Sequence, residues 1–588
     1  MPDKILVSVA WPYCNGDLHI GHIAGAYLPA DIFARYHRMA GNDVLMVSGA
    51  DTHGTPITVR AEEDGVSPRE VVERFHPREI EAFLKLGVTF DLFTETDTEN
   101  HWAVTQDLFR THLAKEYIYL DSMQQLYCLD CRKWLADRYV EGLCPFCAYE
   151  GARGDQCDNC GRIYDAIALI RPRCRYCSGA NIEVRRTQHF FLDLGRLNQP
   201  LLAWINDGRK EHWRPNVMNQ TRARLESREL RGRPITRDIT WGVTIPAPGF
   251  EDKRIYVWYD AVIGYLAASK EWAALIGQSE AWQNWWRDPA ARTYYFIGKD
   301  NIEFHALIWP GMLMGYDESL NLPYDVPANE YLNVEGRKLS KSRRWMIEML
   351  DGLERYDPDP WRYVIAANFP ESQDTNFTWE DFVRRNNDEL VATWGNLANR
   401  VLGFAYRRFD AMAPQPGVFD EADRALLDRI EPTFERVTAL LEAVKLKQAL
   451  SEAMALAHEA NRYLNLKEPW RQIKTDPTTA ATSVFVVLRV IDTLKTLLAP
   501  FLPFTCQRLH SYLGYDDDLF GQQYTQEIWE TERRHLALRY DATRATGVWA
   551  VSALAPGQKL REPAPLYRKL EESIVDAEVE RMTAGRQP

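Results

Sequence analysis

The first forty residues of the chain admit few folds. Ile5-Leu6-Val7-Ser8-Val9-Ala10 is apolar on both faces that a strand would present. A strand built from it has to be covered on both sides, as an inner strand of a parallel sheet is. A turn-rich stretch follows, Pro12-Tyr13-Cys14-Asn15-Gly16-Asp17, and a helical pattern then runs from about His22 to Met39, ended by Gly41. Strand, tight loop and helix N-terminus make an anion site, because free backbone N–H groups and the positive end of the helix dipole face one point. His19-Ile20-Gly21-His22 lies at that point. Two imidazoles and a glycine that admits close approach suit the phosphates of a nucleotide.

Far down the chain, Lys338-Leu339-Ser340-Lys341-Ser342 forms a basic loop whose two lysines, three residues apart, can neutralise a triphosphate. Either short segment alone recurs by chance. The two together, in this order and with the strand before the first, point to one nucleotide site.

At 588 residues the chain has room for three or four domains. A hydrophobic content of 46% is ample to give each a core. The most apolar stretch, Val484 to Leu502, is interrupted by Arg489, Asp492, Lys495 and Pro500, so it falls short of the roughly 18 apolar residues of a membrane helix. The chain enters a strand pattern at once, so no secretory or transit segment and a cytosolic location are expected. The net charge of −13 argues only weakly against a nucleic-acid partner, because local patches decide such binding. Basic clusters occur at Arg337 to Arg344, at Arg384-Arg385, and at Arg400 with Arg407-Arg408.

Eight of the ten cysteines form four CxxC pairs: Cys128/Cys131, Cys144/Cys147, Cys157/Cys160 and Cys174/Cys177. A cytosolic chain keeps its thiols reduced, which disfavours disulfides. Each CxxC puts two thiolates on one tight knuckle, and two knuckles complete a tetrahedral zinc site. One or two zinc ions are therefore expected, in a structural role, since four cysteines leave no open position for water. A nested pairing is favoured, with Cys144, Cys147, Cys157 and Cys160 on one ion and Cys128, Cys131, Cys174 and Cys177 on the other. Pairing in sequential order is the alternative. Cys14 and Cys506 stand alone.

Two further patterns bear on a ligand. Trp258, Ala261, Val262 and Tyr265 are spaced to share one helix face. With Tyr13, Phe304 and His305 they would make an aromatic pocket suited to a polarizable thioether. Asp51 follows the apolar strand Val44-Leu45-Met46-Val47, beyond the strand's C-terminal end, where ligands bind in open α/β sheets. Past residue 385 the pattern turns helical: Leu390, Trp394, Leu397, Val401 and Phe404 mark one buried face. Helices are expected at about Glu421 to Ala443, Leu446 to Leu464 and Val484 to Leu498, which together read as a bundle. The tail from about Leu554 reads as the end of that bundle.

His19–His22 and Lys338–Ser342 resemble the HIGH and KMSKS signatures of class I aminoacyl-tRNA synthetases, with Leu339 in place of Met. Trp11-Pro12-Tyr13-Cys14-Asn15-Gly16, Gly49 to Ile57, Val257 to Tyr265 and Phe296 to Asp300 with Phe304-His305 are similar to the methionyl-tRNA synthetase family. Where the relatives for Leu, Ile and Val carry a large editing insertion, this chain carries cysteine knuckles. Four complete CxxC pairs disfavour the cysteinyl enzymes, whose zinc keeps an open site for the substrate thiol. A nucleotidyltransferase without tRNA would leave the helical end purposeless, and a zinc-knuckle binding protein would leave both ATP motifs unexplained.

The resemblance implies an α/β fold: a Rossmann-like doubly wound parallel sheet in two halves (1–114 and 232–325), an inserted zinc-knuckle domain (115–231), a stem-contact region with the KMSKS loop (326–385) and an α-helical anticodon-binding domain (386–588). It implies activation of L-methionine by ATP to methionyl-adenylate, with Mg²⁺ accompanying ATP, and transfer to the 3′ end of tRNA(Met), initiator tRNA included. By the same resemblance His19, His22, Lys338 and Lys341 are catalytic. Gly21, Gly298, Asp300 and Val334 join them in binding ATP. Asp51 holds the methionine ammonium, and Trp11, Tyr13, Trp258, Ala261, Tyr265 and His305 line the side-chain pocket. Asn396, Arg400 and Trp470 read the anticodon. The family often has Leu at the position of Trp11 and Pro at that of Val262, which alters the pocket wall. Some members append a further tRNA-binding domain that dimerises them; none is seen here, so a monomer is expected.

Overall fold

Alternate residues of the strand Lys4–Val9 (β1) enter two different cores. Ile5, Val7 and Val9 pack on one side and Leu6 on the other. The strand Asp43–Ala50 (β2) does the same, with Met46 in the first core and Leu45 and Val47 in the second. Helices Leu28–Met39 and Pro68–Leu86 cover the first face, and Glu99–Ala114 and Val257–Leu275 the second. Strands apolar on both faces are thus satisfied by helices on both, the doubly wound arrangement. The computed structural model describes residues 2–135, 139–154, 157, 159–160, 162, 164–227, 230–340 and 345–584.

Five strands of the main sheet are parallel: β1, β2, Leu92–Glu95 (β3), Arg292–Gly298 (β4) and Ala328–Asn329 (β5). The full order is β5-β4-β1-β2-β3-β7-β6, where Gln522–Trp529 (β6) and Arg534–Asp541 (β7) form a hairpin. The strand order reverses at β1, between β4 and β2. A crevice opens at such a switch point beyond the carboxyl ends of the strands.

Between the two halves, strands Ile118–Cys128 and Ile182–Leu192 pair antiparallel along their full length and carry the cysteine knuckles at the far end, around a small core of Leu126, Leu135, Tyr139 and Val140. Helices Leu194–Ile205 and Pro215–Glu226 pack back into the second core, through Leu197, Leu201 and Val217.

The C-terminal third is helical as expected, with two differences. The helix expected over residues 421–443 is two, Glu421–Leu427 and Ile430–Glu442, broken at Asp428-Arg429. The hairpin β6–β7 lay outside the helical expectation altogether. Its strand β7 joins the main sheet antiparallel to β3 through Leu538↔Phe93 and Arg539↔Leu92. It buries Leu538 in the first core and Ala537 in the second, while β6, at the sheet edge, stays largely exposed. After the hairpin the chain runs without regular helix or strand to the last helix, Ile574–Ala584. There Glu578 accepts hydrogen bonds from Arg355 and Tyr356. Among the described residues no helix is long and apolar enough to cross a membrane.

Candidate active site

The switch point holds a cleft of 660 Å³. One side of it is built from the first motif. The chain is helical from Ile20 to Met39, but Ile23–Tyr27 is wound as a π-helix, as is Phe304–Ile308 on the opposite wall. Wide turns of this kind are rare overall and frequent at functional sites. Here they bring Gly25, Ala26 and Tyr27, and opposite them Phe304 and His305, to the cleft. His19 and His22 stack with ring centroids 3.7 Å apart, and the His19 N–H donates to His22 Nδ1 at 3.2 Å.

The second motif closes on the first. A Cβ on Gly21 would overlap Leu339 Cδ1, so only glycine lets that side chain come so near. The Ile20 N–H donates to Ile347 O at 3.0 Å and the Met349 N–H to Leu18 O at 2.9 Å, tying the segment after the basic loop to the helix start. Lys338 Nζ lies 5.5 Å from the centre of the Tyr331 ring. The Tyr331 hydroxyl donates to Asp300. Gly298, at the end of β4, and Asp300 line the cleft. Val334 does not: it is fully buried, with its N–H on Arg337 O and its carbonyl accepting from the Trp345 indole, while its neighbours Leu332 and Asn333 line the cleft instead. Lys341 lies outside the described residues.

Asp51 stands at the other end. Its N–H donates to Pro12 O at 2.7 Å and its carbonyl accepts from the Cys14 N–H at 3.0 Å, which seats it beside Tyr13. Its carboxylate accepts the His53 backbone N–H at 3.3 Å. Burial, reinforced by the Asp260 charge and only partly offset by His53, raises its pKa well above the usual carboxylate range. A site with that imbalance favours a cation.

Trp258, Ala261, Val262 and Tyr265 share the cleft-facing side of the helix Val257–Leu275. His305 Nδ1 lies 2.9 Å from the Asn301 carbonyl, which can only accept, so Nδ1 carries the proton and the Tyr265 hydroxyl donates to Nε2 at 2.7 Å. Burial lowers the His305 pKa to about 4 against that carbonyl, leaving the ring neutral at pH 7. Trp11 lies against Gly49 and Gly264, at both of which a Cβ would overlap the indole. Two absent side chains thus make the slot that admits Trp.

The eight cysteines fall into two groups, Cys128, Cys131, Cys174 and Cys177, and Cys144, Cys147, Cys157 and Cys160, in each of which all four sulfurs lie within 4.8 Å of one another. The Sγ–Sγ distances are 3.5 Å for Cys128–Cys177, 3.6 Å for Cys131–Cys174, 3.8 Å for Cys144–Cys160 and 3.6 Å for Cys147–Cys157. They are too long for disulfides and near the roughly 3.8 Å edge of a tetrahedron with zinc–sulfur bonds of about 2.3 Å. Arg132, Ala148 and Ser178, each just after a CxxC, have φ of 56°, 57° and 56°, the left-handed turn that curls two sulfurs around one point.

Away from the cleft, Asn396 and Arg400 are exposed on the helix Asn396–Arg408. The Arg400 guanidinium lies 4.3 Å over the half-buried Trp470 ring, on the short helix Pro469–Gln472. The structure therefore brings Arg400 and Trp470 together from segments far apart in the chain.

Comparison with known proteins follows the same division. The family described as tRNA synthetases class I (M) matches residues 5–402, and the anticodon binding domain of methionyl tRNA ligase matches residues 413–541. The methionine–tRNA ligase of Thermomicrobium roseum is 56% identical over 586 residues, covering 99% of this chain and 100% of that protein. The chain belongs to the class I methionyl-tRNA synthetases. The methionine–tRNA ligase of a Roseiflexus species is 53% identical over 592 residues, covering 99% of each chain. The Mycobacterium tuberculosis methionyl-tRNA synthetase in complex with methionyl-adenylate is similar at a TM-score of 0.77 and 25% identity, covering 96% of this chain and 100% of that one.

In this methionyl-tRNA synthetase several cleft residues carried no sequence signal: Tyr27, Asn301, Glu330, Tyr331 and Asn333. Tyr27 sits on the π-turn, and its hydroxyl donates to Ala10 O at 3.0 Å. Lys299 is held by Glu330 at 2.7 Å and Asp374 at 2.8 Å, a clamp that only the fold assembles.

Proposed function

We infer that the 660 Å³ cleft catalyses the first step of methionine–tRNA ligation: attack of the methionine carboxylate on the α-phosphate of ATP, giving methionyl-adenylate and pyrophosphate. One observation carries the reading: the stacked His19–His22 pair, Lys338, the buried Asp51 and the Trp258–Tyr265–His305 wall line a single cavity. The carboxylate is already a nucleophile, so the enzyme needs no covalent intermediate. It places the reactants in line and stabilises charge as pyrophosphate leaves.

His19, Gly21 and His22 receive the phosphates from the helix start, and Lys338 and Lys341 from the basic loop. Gly298 and Asp300 hold the ribose and adenosine end. Mg²⁺ bound with ATP neutralises phosphate charge. Asp51 pairs with the methionine ammonium. The thioether lies among Tyr13, Trp258, Ala261, Tyr265 and His305, with Trp11 behind them. The neutral His305, its proton turned toward Asn301, presents no charge to that sulfur.

In the second step methionine passes to the 3′-terminal adenosine of tRNA(Met), initiator tRNA included. Arg400 and Trp470 offer a stacking platform to an anticodon base, and Asn396 a hydrogen-bonding edge. The two cysteine groups hold one structural zinc each, with a donor set of four thiolates that closes the ion to substrate. The test is a chase. Enzyme incubated with ATP and methionine, then separated from both, should carry methionyl-adenylate and charge tRNA(Met) in a single turnover. Enzyme that retains no adenylate, or retains it and transfers nothing, would contradict the assignment.

A further inference from the structure

Behind Asp51 lies a row of buried ionisable groups that the reaction above does not use. His101 Nε2 bonds Asp260 Oδ1, and Asp260 Oδ2 meets His53 Nδ1 at 2.5 Å. His53 Nε2 is 3.8 Å from Asp97 Oδ1, which accepts from Arg533 Nη1 at 2.6 Å. The first four side chains are at most 3% exposed, whereas Arg533 is 32% exposed. Arg533 lies between β6 and β7, in the hairpin that the C-terminal third lends to the catalytic sheet. Its guanidinium sits 5.2 Å over the Trp102 ring, and its neighbour His535 bonds Glu271 at 2.9 Å.

The row joins three pieces of the amino-acid site. His53 is two residues from Asp51 and donates its backbone N–H to the Asp51 carboxylate. Asp260 is on the helix that carries Trp258, Ala261 and Tyr265. Asp97 follows β3, against which the hairpin pairs. A second arginine, Arg69, reaches Asp97 at 3.3 Å but is shared with Glu95, so Arg533 is the closer cation on Asp97. Asp97 meets His53 across 3.8 Å as an ion pair rather than a hydrogen bond, while the His53 ring is bonded to Asp260 and its backbone N–H is aimed at Asp51.

We propose that Arg533 is a positioning residue for the methionine ammonium: through Asp97, His53 and Asp260 the C-terminal hairpin fixes the direction of the Asp51 carboxylate. The inference rests on the reading of Asp51 as the ammonium's partner. Simple charge gives the opposite expectation, since deleting a positive group near a cation site strengthens cation binding. The sign of the effect therefore separates positioning from bulk electrostatics.

The experiment uses the full chain with Arg533→Met, Arg533→Lys and Asp51→Asn. It reads the KM for methionine and kcat in ATP–pyrophosphate exchange, and the inhibition constant of 4-(methylthio)butanoate, which is methionine without its amino group. Arg533→Met should raise the KM roughly tenfold, leave kcat and the inhibition constant unchanged, and be rescued in part by Arg533→Lys. Equal weakening of methionine and of the amine-free acid would mean a merely structural arginine. An unchanged or lowered KM would also overturn the proposal. Asp51→Asn should abolish the preference for methionine over the amine-free acid. If it does not, the reading of Asp51 fails first; if it does while Arg533→Met leaves that preference intact, only the present inference fails. Should Arg533→Met not fold, His53→Gln severs the same row from within and should give the same selective loss.

Discussion

Gly21 and Leu339 touch at the mouth of the cleft: a methyl group on the Gly21 Cα would overlap Leu339 Cδ1. The two signature segments therefore meet directly, with the His19 ring packed against the same point. Gly21→Ala should displace the end of the Leu339 side chain and crowd the His19 ring, whose atoms would lie 3.1 Å from the new methyl. A misplacement of about 1 Å costs on the order of 10² in rate. The expected result is slower ATP–pyrophosphate exchange with little change in methionine binding, read by calorimetry.

Lys338 and Lys341 are assigned to charge that develops on the departing pyrophosphate. Removing one preorganised donor of this kind typically costs about 10²–10³ in rate. Lys341→Ala should slow adenylation by that order while the KM for methionine stays put. A shifted KM with unchanged kcat would assign Lys341 elsewhere.

How much of this could be read from the chain follows from where the signal lay. The loop and paired histidines at the cleft were legible because strand, turn, His19 and His22 are contiguous, and the knuckles because CxxC is itself a local geometry. The Asp51–Trp258–His305 cavity needed the family resemblance to join segments that periodicity alone left separate. The hairpin was not legible. Gln522-Gln523-Tyr524-Thr525-Gln526-Glu527 is polar, as an edge strand facing water is, and its turn lacks an Asn-Gly or Asp-Gly pair. The available sign in Arg534 to Asp541 was weak: Ala537, Leu538 and Arg539 are buried in succession, because β7 is covered on both faces and so shows no clean period of two. The row from His101 to Arg533 was beyond reach, because each histidine is isolated in sequence and pairing arises only when distant strands align.

Trp470 and Arg400 form the stacked pair proposed for the anticodon. A base stacked on an aromatic ring contributes about 1–3 kcal/mol. Trp470→Ala should thus cut aminoacylation of tRNA(Met) by roughly 5- to 150-fold while exchange without tRNA stays near normal. Equal losses in both assays would make Trp470 a packing residue.

Two zinc ions per chain are expected in a metal assay of purified protein, and fewer than one would refute the knuckle reading. Exhaustive chelation should unfold the arm that carries them, because its small core of Leu126, Leu135, Tyr139 and Val140 is built around the cysteines. Limited proteolysis should then cut first within residues 128–177.

Buried histidines set opposing pH limits on stability. Burial lowers His305, His112 and His76 to about 4. In the unfolded chain they titrate near 6.5, so the unfolded state binds more protons and stability falls as pH drops from about 6.5 toward 4. His53 goes the other way. Burial alone would lower it, but Asp260 and Asp97 prevail and hold it up at about 10. Its contribution is fully present below about 6.5 and is lost as pH rises toward 10. Tm measured across this range should peak near neutrality, and His53→Gln should flatten the alkaline limb alone.

The central claim is that one cleft activates methionine, and amino-acid-dependent ATP–pyrophosphate exchange, run without tRNA against all twenty amino acids, tests it most directly. Exchange with methionine alone is the expected result. Stronger exchange with another amino acid, or none from folded, zinc-loaded protein, would contradict the account.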